Sequence, residues 1–339
     1  MGRVTIAGLA ERLGISKASV SYALNGQPGV SEQTRERVLN LASELGWYPS
    51  SSARALSRSR VGIVGIVLSR EPEMIGSEPY YMRLIAGIES VLIDADMSLL
   101  LRVSGPERGR DLEVYRRWAG ERRVDGVIVF DIDERDPRPE LLRELGLPFV
   151  LHGSSGEDSG YAATMADQAA EAGTIVEHLR ALGHRRIGHV TGPLHLVHER
   201  ARSSAVRALA EAAGMRVAPV ESDYTLDGGR VATAALLAAG ERPTAVIYDN
   251  DLLAQGGLAA LRAAHVDVPR SVSVVSWDDS ILCSVSTPAV TALHRDPFEQ
   301  GRQSAALLLE MIDGAPAHTV AAGPSALIVR NSTAAPLAN

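Results

Sequence analysis

From Thr5 the chain sets Ile6, Leu9 and Leu13 at spacings of three and four, the period of one helix face. Thr5 can cap that helix, and Gly14 can end it because a positive φ costs glycine little. Ser16 opens a second stretch, 17–25, with Val20 and Leu24 inward, and Asn25-Gly26 and Pro28-Gly29 then mark a turn. Ser31 caps a third stretch, with Glu32 in its first turn, Val38, Leu41 and Leu45 as the buried stripe and Gly46 as the stop. The spacing predicts three short helices with a tight turn after the first, the pattern of a helix-turn-helix unit.

After residue 60 the period changes. Apolar runs at 61–68, 98–103, 126–130, 149–151, 187–190, 245–248, 272–277 and 290–293 read as strands. Amphipathic stretches near 79–94, 110–120, 139–145, 167–182, 198–213, 228–239, 251–264 and 297–312 read as helices between them. Short Val/Ile-rich runs alternating with helices predict an α/β body of doubly wound parallel sheets covered on both faces. Ligands in such folds lie beyond the carboxyl ends of the strands. Tyr248-Asp249-Asn250-Asp251 and Trp277-Asp278-Asp279 fall there. Carboxylates and amides beside a flat ring suit polyol recognition. The same residues also suit the caps of the following helices, and both roles can hold at once.

Composition sharpens this picture. With 339 residues, 45% hydrophobic and 22% charged, the chain is ordinary globular protein with room for more than one unit. No apolar run approaches the roughly 20 residues that cross a bilayer, and the opening MGRVTIAGLAERLG is not a secretory signal. Cys283 is the only cysteine, so no internal disulfide is possible and the cytoplasm is the expected compartment. Net charge is −7, yet residues 1–60 hold eight basic against four acidic side chains, leaving −11 on the remainder. A basic first unit on an acidic body is what a phosphate-facing module needs. No Walker A, HExxH, GxSxG or post-strand GxGxxG motif occurs, so neither an enzyme nor a cofactor site is expected. Cys283 reads as a buried free thiol rather than a nucleophile.

In a helix-turn-helix the second helix enters the major groove, here with Lys17, Ala18, Ser19, Ser21 and Tyr22 at its start. A three-helix module that binds protein fits the periodicity equally well. The stretch VTIAGLAERLGISKASVSYALNGQPGVSEQTRERVLNLASELGWYPSSSARAL, however, closely resembles the DNA-binding segment of the LacI/GalR family, the lac-repressor-like regulators. The resemblance implies DNA contacts at Thr5, Ser16, Lys17, Ala18, Ser19, Ser21, Tyr22, Asn25, Ser31, Thr34, Arg35, Ser50, Arg54 and Leu56. It also implies a hinge over 49–60 that turns helical on DNA and inserts Leu56 into the minor groove as an apolar wedge. Two positions depart from the family pattern. Tyr22-Ala23 stands where Arg-Val is usual, which removes a bidentate guanine donor and leaves Lys17 as the base-edge donor. Gly8 replaces a helix-favouring acid.

The resemblance continues to Thr333 through Pro79-Tyr80-Tyr81, Arg123-Val124-Asp125-Gly126, Leu182-Gly183-His184-Arg185-Arg186-Ile187, Glu199-Arg200, Asn250-Asp251 and Trp277-Asp278-Asp279. It implies a two-lobed body like the periplasmic sugar-binding proteins, with effector contacts at Tyr80, Tyr81, Arg200, Asn250, Asp251, Trp277 and Asp278. The implied organisation is a helix-turn-helix domain at 1–48, the hinge, and an effector and dimerisation domain at 61–333, ending in a tail at 334–339. One lobe covers about 61–162 and 293–323, and the other about 163–292 and 324–333. His152-Gly153-Ser154 stands where many members carry Asp-Arg, and Ser276-Trp277 where they carry Gly-Phe, so the effector itself stays open. The implied function is a homodimeric repressor on a near-palindromic operator, controlled by a sugar. A corepressor-dependent regulator answering to a purine or nucleotide, or one gated by a protein partner, is the alternative. After Thr333 only AAPLAN follows, without a leucine heptad, so a dimer rather than a tetramer is expected.

Overall fold

A computed structural model describes residues 5–47, 60–107, 109–154 and 160–337. The chain divides into two compact units, residues 1–62 with 122–125, and residues 63–121 with 126–339.

In the first unit the caps legible in the sequence build three helices, α1 (Ile6–Leu13), α2 (Lys17–Leu24) and α3 (Glu32–Glu44). Thr5 Oγ1 accepts from the Gly8 N–H at 3.2 Å, Ser16 Oγ from Ser19 at 3.0 Å and Ser31 Oγ from Thr34 at 3.2 Å. Gly14, at φ +67°, closes α1 in the left-handed conformation. The core is small: Leu9, Ala10, Val20, Ala23, Val38 and Ala42. Val20 and Val38 are fully buried with Leu9, whereas Leu24, Leu41 and Leu45, also expected inward, are only partly buried.

The second unit contains two six-stranded sheets. The first orders β11 (Thr319–Ala321), β5 (Ala163–Met165), β4 (Phe149–Ser154), β3 (Gly126–Val129), β1 (Ile63–Leu68) and β2 (Ser98–Val103), all parallel. The second orders β12 (Ala326–Ile328), β10 (Thr291–His294), β9 (Ser273–Ser276), β8 (Ala245–Tyr248), β6 (Arg186–Thr191) and β7 (Arg216–Glu221), with only β12 antiparallel to its neighbour. Helices α4 (Pro72–Ser77), α5 (Pro79–Asp94), α6 (Arg110–Glu121) and α7 (Arg138–Glu144) belong to the first half of this unit. They are followed by α8 (Gln168–Ala181), α9 (Val197–Ala212), α10 (Leu226–Ala238), α11 (Asp251–Ala263), α12 (Ile281–Val285) and α13 (Pro297–Ile312). Both sheets turn back in strand order beside their first strand, at β1/β3 and at β6/β8, which is where doubly wound sheets open a ligand crevice. No helix among the described residues is long and apolar enough to cross a membrane.

Four short strands and two short helices escape the periodicity. The edge strand β7 is Arg-Val-Ala-Pro-Val-Glu, largely exposed and interrupted by a proline that only an edge tolerates. Strands β5, β11 and β12 have three residues each, too few to show a period, and α4 and α12 are scarcely longer. Strand pairing places the lobe limits a few residues past the expected ones. Because β5 pairs with β4 and β11, the first lobe runs past 162 and the chain crosses between Met165 and Gln168. Because β10 pairs with β9, the second lobe runs past 292 and the return crossing lies between His294 and Pro297. Helix α13 then packs on α5 at Gly87, where a Cβ would overlap the Phe298 carbonyl.

Candidate functional site

On the helical unit, Ser16, Lys17 and Ala18 at the start of α2 and Tyr22 near its end are exposed, and Ser19 and Ser21 are half-buried. This is the placement a groove-reading helix needs. Tyr22 leans its ring over Gly29 and leaves 42% of itself exposed. Other members of the expected contact set have internal partners. Asn25 Nδ2 donates to the Ser21 carbonyl at 2.9 Å, and Arg35 reaches the carbonyls of Ala23 at 3.4 Å and Gln27 at 3.1 Å. Arg35 thus ties α3 to the turn after α2. Thr5, Ser31 and Thr34 take part in the caps. Ser50, Arg54 and Leu56, like nearly all of the hinge, lie outside the described residues.

The second unit gathers polar groups in a cleft between its two lobes, at the carboxyl ends of both sheets. The first lobe supplies Arg70 after β1, Phe130 and Asp131 after β3, His152 on β4, Glu78, Tyr80 and Tyr81 at the start of α5, and Gln300 on α13. The second supplies His198 and Arg202 on α9, Tyr224, Asp249 after β8, Asp278 after β9 and Arg295 after β10.

Charges there are matched. Arg70 grips Asp131 with two hydrogen bonds of 2.7 and 2.8 Å and reaches Glu78 at 3.1 Å. Its guanidinium lies 5.0 Å from the ring centres of both Tyr81 and Tyr224, so one cation ties the two lobes together. Burial opposes the charge on Asp131, but Arg70 outweighs it and holds that carboxyl well below the usual range. Burial lifts Glu78 to about 7 despite the same arginine. Arg295 pairs with Asp278, and Arg202 with Glu199 at 3.0 Å, while Glu199 also accepts from the Gly192 N–H at 2.6 Å. Burial raises Glu199 to about 7 and Asp249 to about 6. His152 and His198 fall to about 4 because burial disfavours their cations. His152 bridges Tyr80 at 3.0 Å and Ser304 at 2.8 Å. The Arg295 Nε–H is buried with no hydrogen-bond partner among the described residues. Asp131 and Tyr224 hold φ of +51° and +67°, so two residues of the cleft wall carry a backbone cost.

Of the expected effector contacts, Tyr80, Tyr81 and Asp278 line this cleft and the other four do not. Arg200 is directed outward, its side chain 52% exposed and paired with Glu134 at 3.0 Å. Residues two apart on a helix point about 200° apart, so Arg202 takes the inward place. Trp277 is fully buried, donates to Glu171 at 2.9 Å and stacks under the Arg202 guanidinium instead of facing the cavity. Asn250 caps α11 through the Leu253 N–H at 2.7 Å and donates to the Tyr224 carbonyl at 3.1 Å. Asp251 is buried in the first turn of α11, where burial raises its carboxyl to about 6. Arg70, Asp131 and Arg295 were missed, although the rule that ligands sit beyond strand ends points to each of them.

Comparison with known proteins agrees with this architecture. Residues 5–50 match the model of the bacterial regulatory proteins of the lacI family, and residues 176–333 that of the periplasmic binding protein-like domain. The HTH-type transcriptional regulator MalR of Streptomyces coelicolor is 33% identical over 342 residues, covering 97% of this chain and 96% of MalR. The structure of the transcriptional regulator CelR in complex with cellobiose superposes with a TM-score of 0.75 at 28% identity, over 97% of this chain and all of that one. A lac repressor dimer bound to operator shares the fold, with a TM-score of 0.87 at 24% identity over 98% of this chain and all of that one. With the helix-turn-helix at its start, the two-lobed body behind it and relatives that match end to end, the chain belongs to the lacI family of bacterial transcriptional regulators.

Proposed function

We propose that this regulator is a repressor whose operator affinity is set by a neutral sugar held between the two lobes of its body. The observation that carries the reading is the charge balance of the cleft. Arg70, Arg202 and Arg295 face Asp131, Glu199 and Asp278, and Glu78 and Asp249 add two acids whose pKa values burial raises to about 7 and about 6. Such a site offers fixed donors and acceptors to hydroxyl groups and no net positive charge to a phosphate. Cellobiose in the related CelR complex supports the same class. The contacts are Tyr80, Tyr81, Asp278, Arg202 and Arg295, with Arg200 on the outer face of α9.

DNA is read by Lys17, Ala18 and Tyr22, with Ser16 and Ser31 positioning the helices on the phosphates and Leu56 acting as the minor-groove wedge. Two copies pair through the body, supported by the exposed apolar side chains Met82, Ile93, Ile281 and Val285, and face a near-palindromic operator. The protein acts in the cytoplasm and performs no catalysis. Sugar binding favours one lobe arrangement and shifts operator affinity, a coupling typically of about 1–3 kcal/mol.

A thermal-shift panel of neutral sugars, sugar phosphates and purine nucleotides on the full chain tests the effector class. A neutral sugar at about a hundred times its Kd adds about 2.7 kcal/mol to the folded body. A response to purine nucleotides alone would replace this reading with the corepressor one. For the DNA side, Tyr22→Arg should change the sequence recovered by selection from random duplexes.

A further inference from the structure

Arg70, Asp131 and Tyr224, which wall one side of the cleft, also line a second chamber beside it. The inner cavity measures about 70 Å³ and the outer about 530 Å³. One buried water needs roughly 10–15 Å³ of such space, so the inner chamber takes a handful of water-sized groups, one edge of a pyranose. A ligand larger than that edge that reaches the Arg295 Nε–H, unpartnered among the described residues, finds its next space across the three shared residues.

The outer walls suit a second ring. Met74 and Leu196 present apolar surface, while Asp133 and Asp223 present carboxylates. Asp133 Oδ1 is buried without a hydrogen-bond partner among the described residues, with the His195 Nε2 at 3.7 Å. A pyranose has this duality, with an apolar C–H face and a rim of hydroxyl donors.

Building on the sugar reading of the cleft, we propose that the effector is an oligosaccharide of at least two rings. One terminal edge enters the inner chamber at Arg295 and Asp278. The next ring fills the outer chamber and donates a hydroxyl to Asp133.

Calorimetric titration of the full-length protein with maltose, cellobiose, trehalose and raffinose, each beside its component monosaccharides, tests this. One oligosaccharide should bind at least about tenfold more tightly than any of its components. Asp133→Ala should weaken that oligosaccharide by about tenfold and leave the monosaccharides unchanged. The conservative Asp133→Asn and the unfolding midpoint without ligand control for folding. A monosaccharide that binds as tightly as the oligosaccharide containing it, or an Asp133→Ala loss equal for both, overturns the two-ring assignment and leaves the sugar reading standing. Silence with every neutral sugar overturns both.

Discussion

The helical unit and the cleft unit reach their functional surfaces by opposite routes. In the first, the caps that start the helices each span three residues: Thr5 to Gly8, Ser16 to Ser19, Ser31 to Thr34. In the second, the contacts that shape the cleft span large distances along the chain: Arg70 to Asp131, Tyr80 to His152, Trp277 to Glu171. The first surface exposes its side chains to a polyanion and needs little burial. The second buries ionised groups and keeps them only because each has a partner.

That contrast predicts unequal costs for removing an arginine. Arg70→Ala leaves Asp131 and Glu78 buried without their cation and should cost about 3–5 kcal/mol, a fall of roughly 10 °C in the body's unfolding midpoint. Arg35→Ala loses two hydrogen bonds to turn carbonyls at a partly exposed site and should cost about 1 kcal/mol. Scanning calorimetry of both variants decides it, and equal losses would erase the distinction.

A second difference appears with pH. Glu199 has a pKa raised to about 7 by burial, so the folded state holds a proton that the unfolded chain releases near 4.5. Its contribution is fully present below about pH 4.5 and is lost as pH rises through 7. Glu199→Gln removes this titration. The stability of the native chain relative to this variant should therefore fall on the order of 2 kcal/mol between pH 5 and pH 8. Urea unfolding at several pH values measures it, and a flat difference would place an ionised Glu199 in the fold.

These two routes explain what could be read from the chain. The caps of α1, α2 and α3 were legible because Thr5, Ser16 and Ser31 act on neighbours in sequence. The long strands and most long helices of the body were legible because burial imprints a period on them. The cleft was only partly so. Trp277 follows β9 and Arg200 lies in the first turn of α9, but tertiary packing turned the indole inward beside Glu171 and the helix phase turned Arg200 out. No local pattern distinguishes Arg202 from Arg200 until the helix is docked on its sheet. The three-residue strands had no length in which to show a period, and β5 among them moved the first lobe limit.

If the helical unit owes its stability to local terms, a single cap should register there clearly. Ser31→Ala removes the acceptor for the Thr34 N–H at the start of α3 and should cost about 1 kcal/mol in that unit alone. Urea unfolding followed through Trp47 beside its core reports it, and an unchanged midpoint would mean that tertiary contacts replace the cap.

The smallest effect has the opposite sign. Gly8 sits inside α1 with ordinary helical backbone, and a Cβ there would lie 3.7 Å from Thr5 Oγ1, an unstrained contact. Nothing in the structure requires glycine. Gly8→Ala lowers the entropy of the unfolded chain and should raise the helical unit's stability by just under about 1 kcal/mol. Operator affinity should stay the same, because Gly8 is not among the groups placed toward DNA. Gel-shift titration beside urea unfolding separates the two readouts. A gain in stability with unchanged affinity shows a helix held by local propensity and independent of the surface it presents. A loss of affinity would instead make the looseness of α1 part of DNA binding, and would break the division between local and long-range design drawn above.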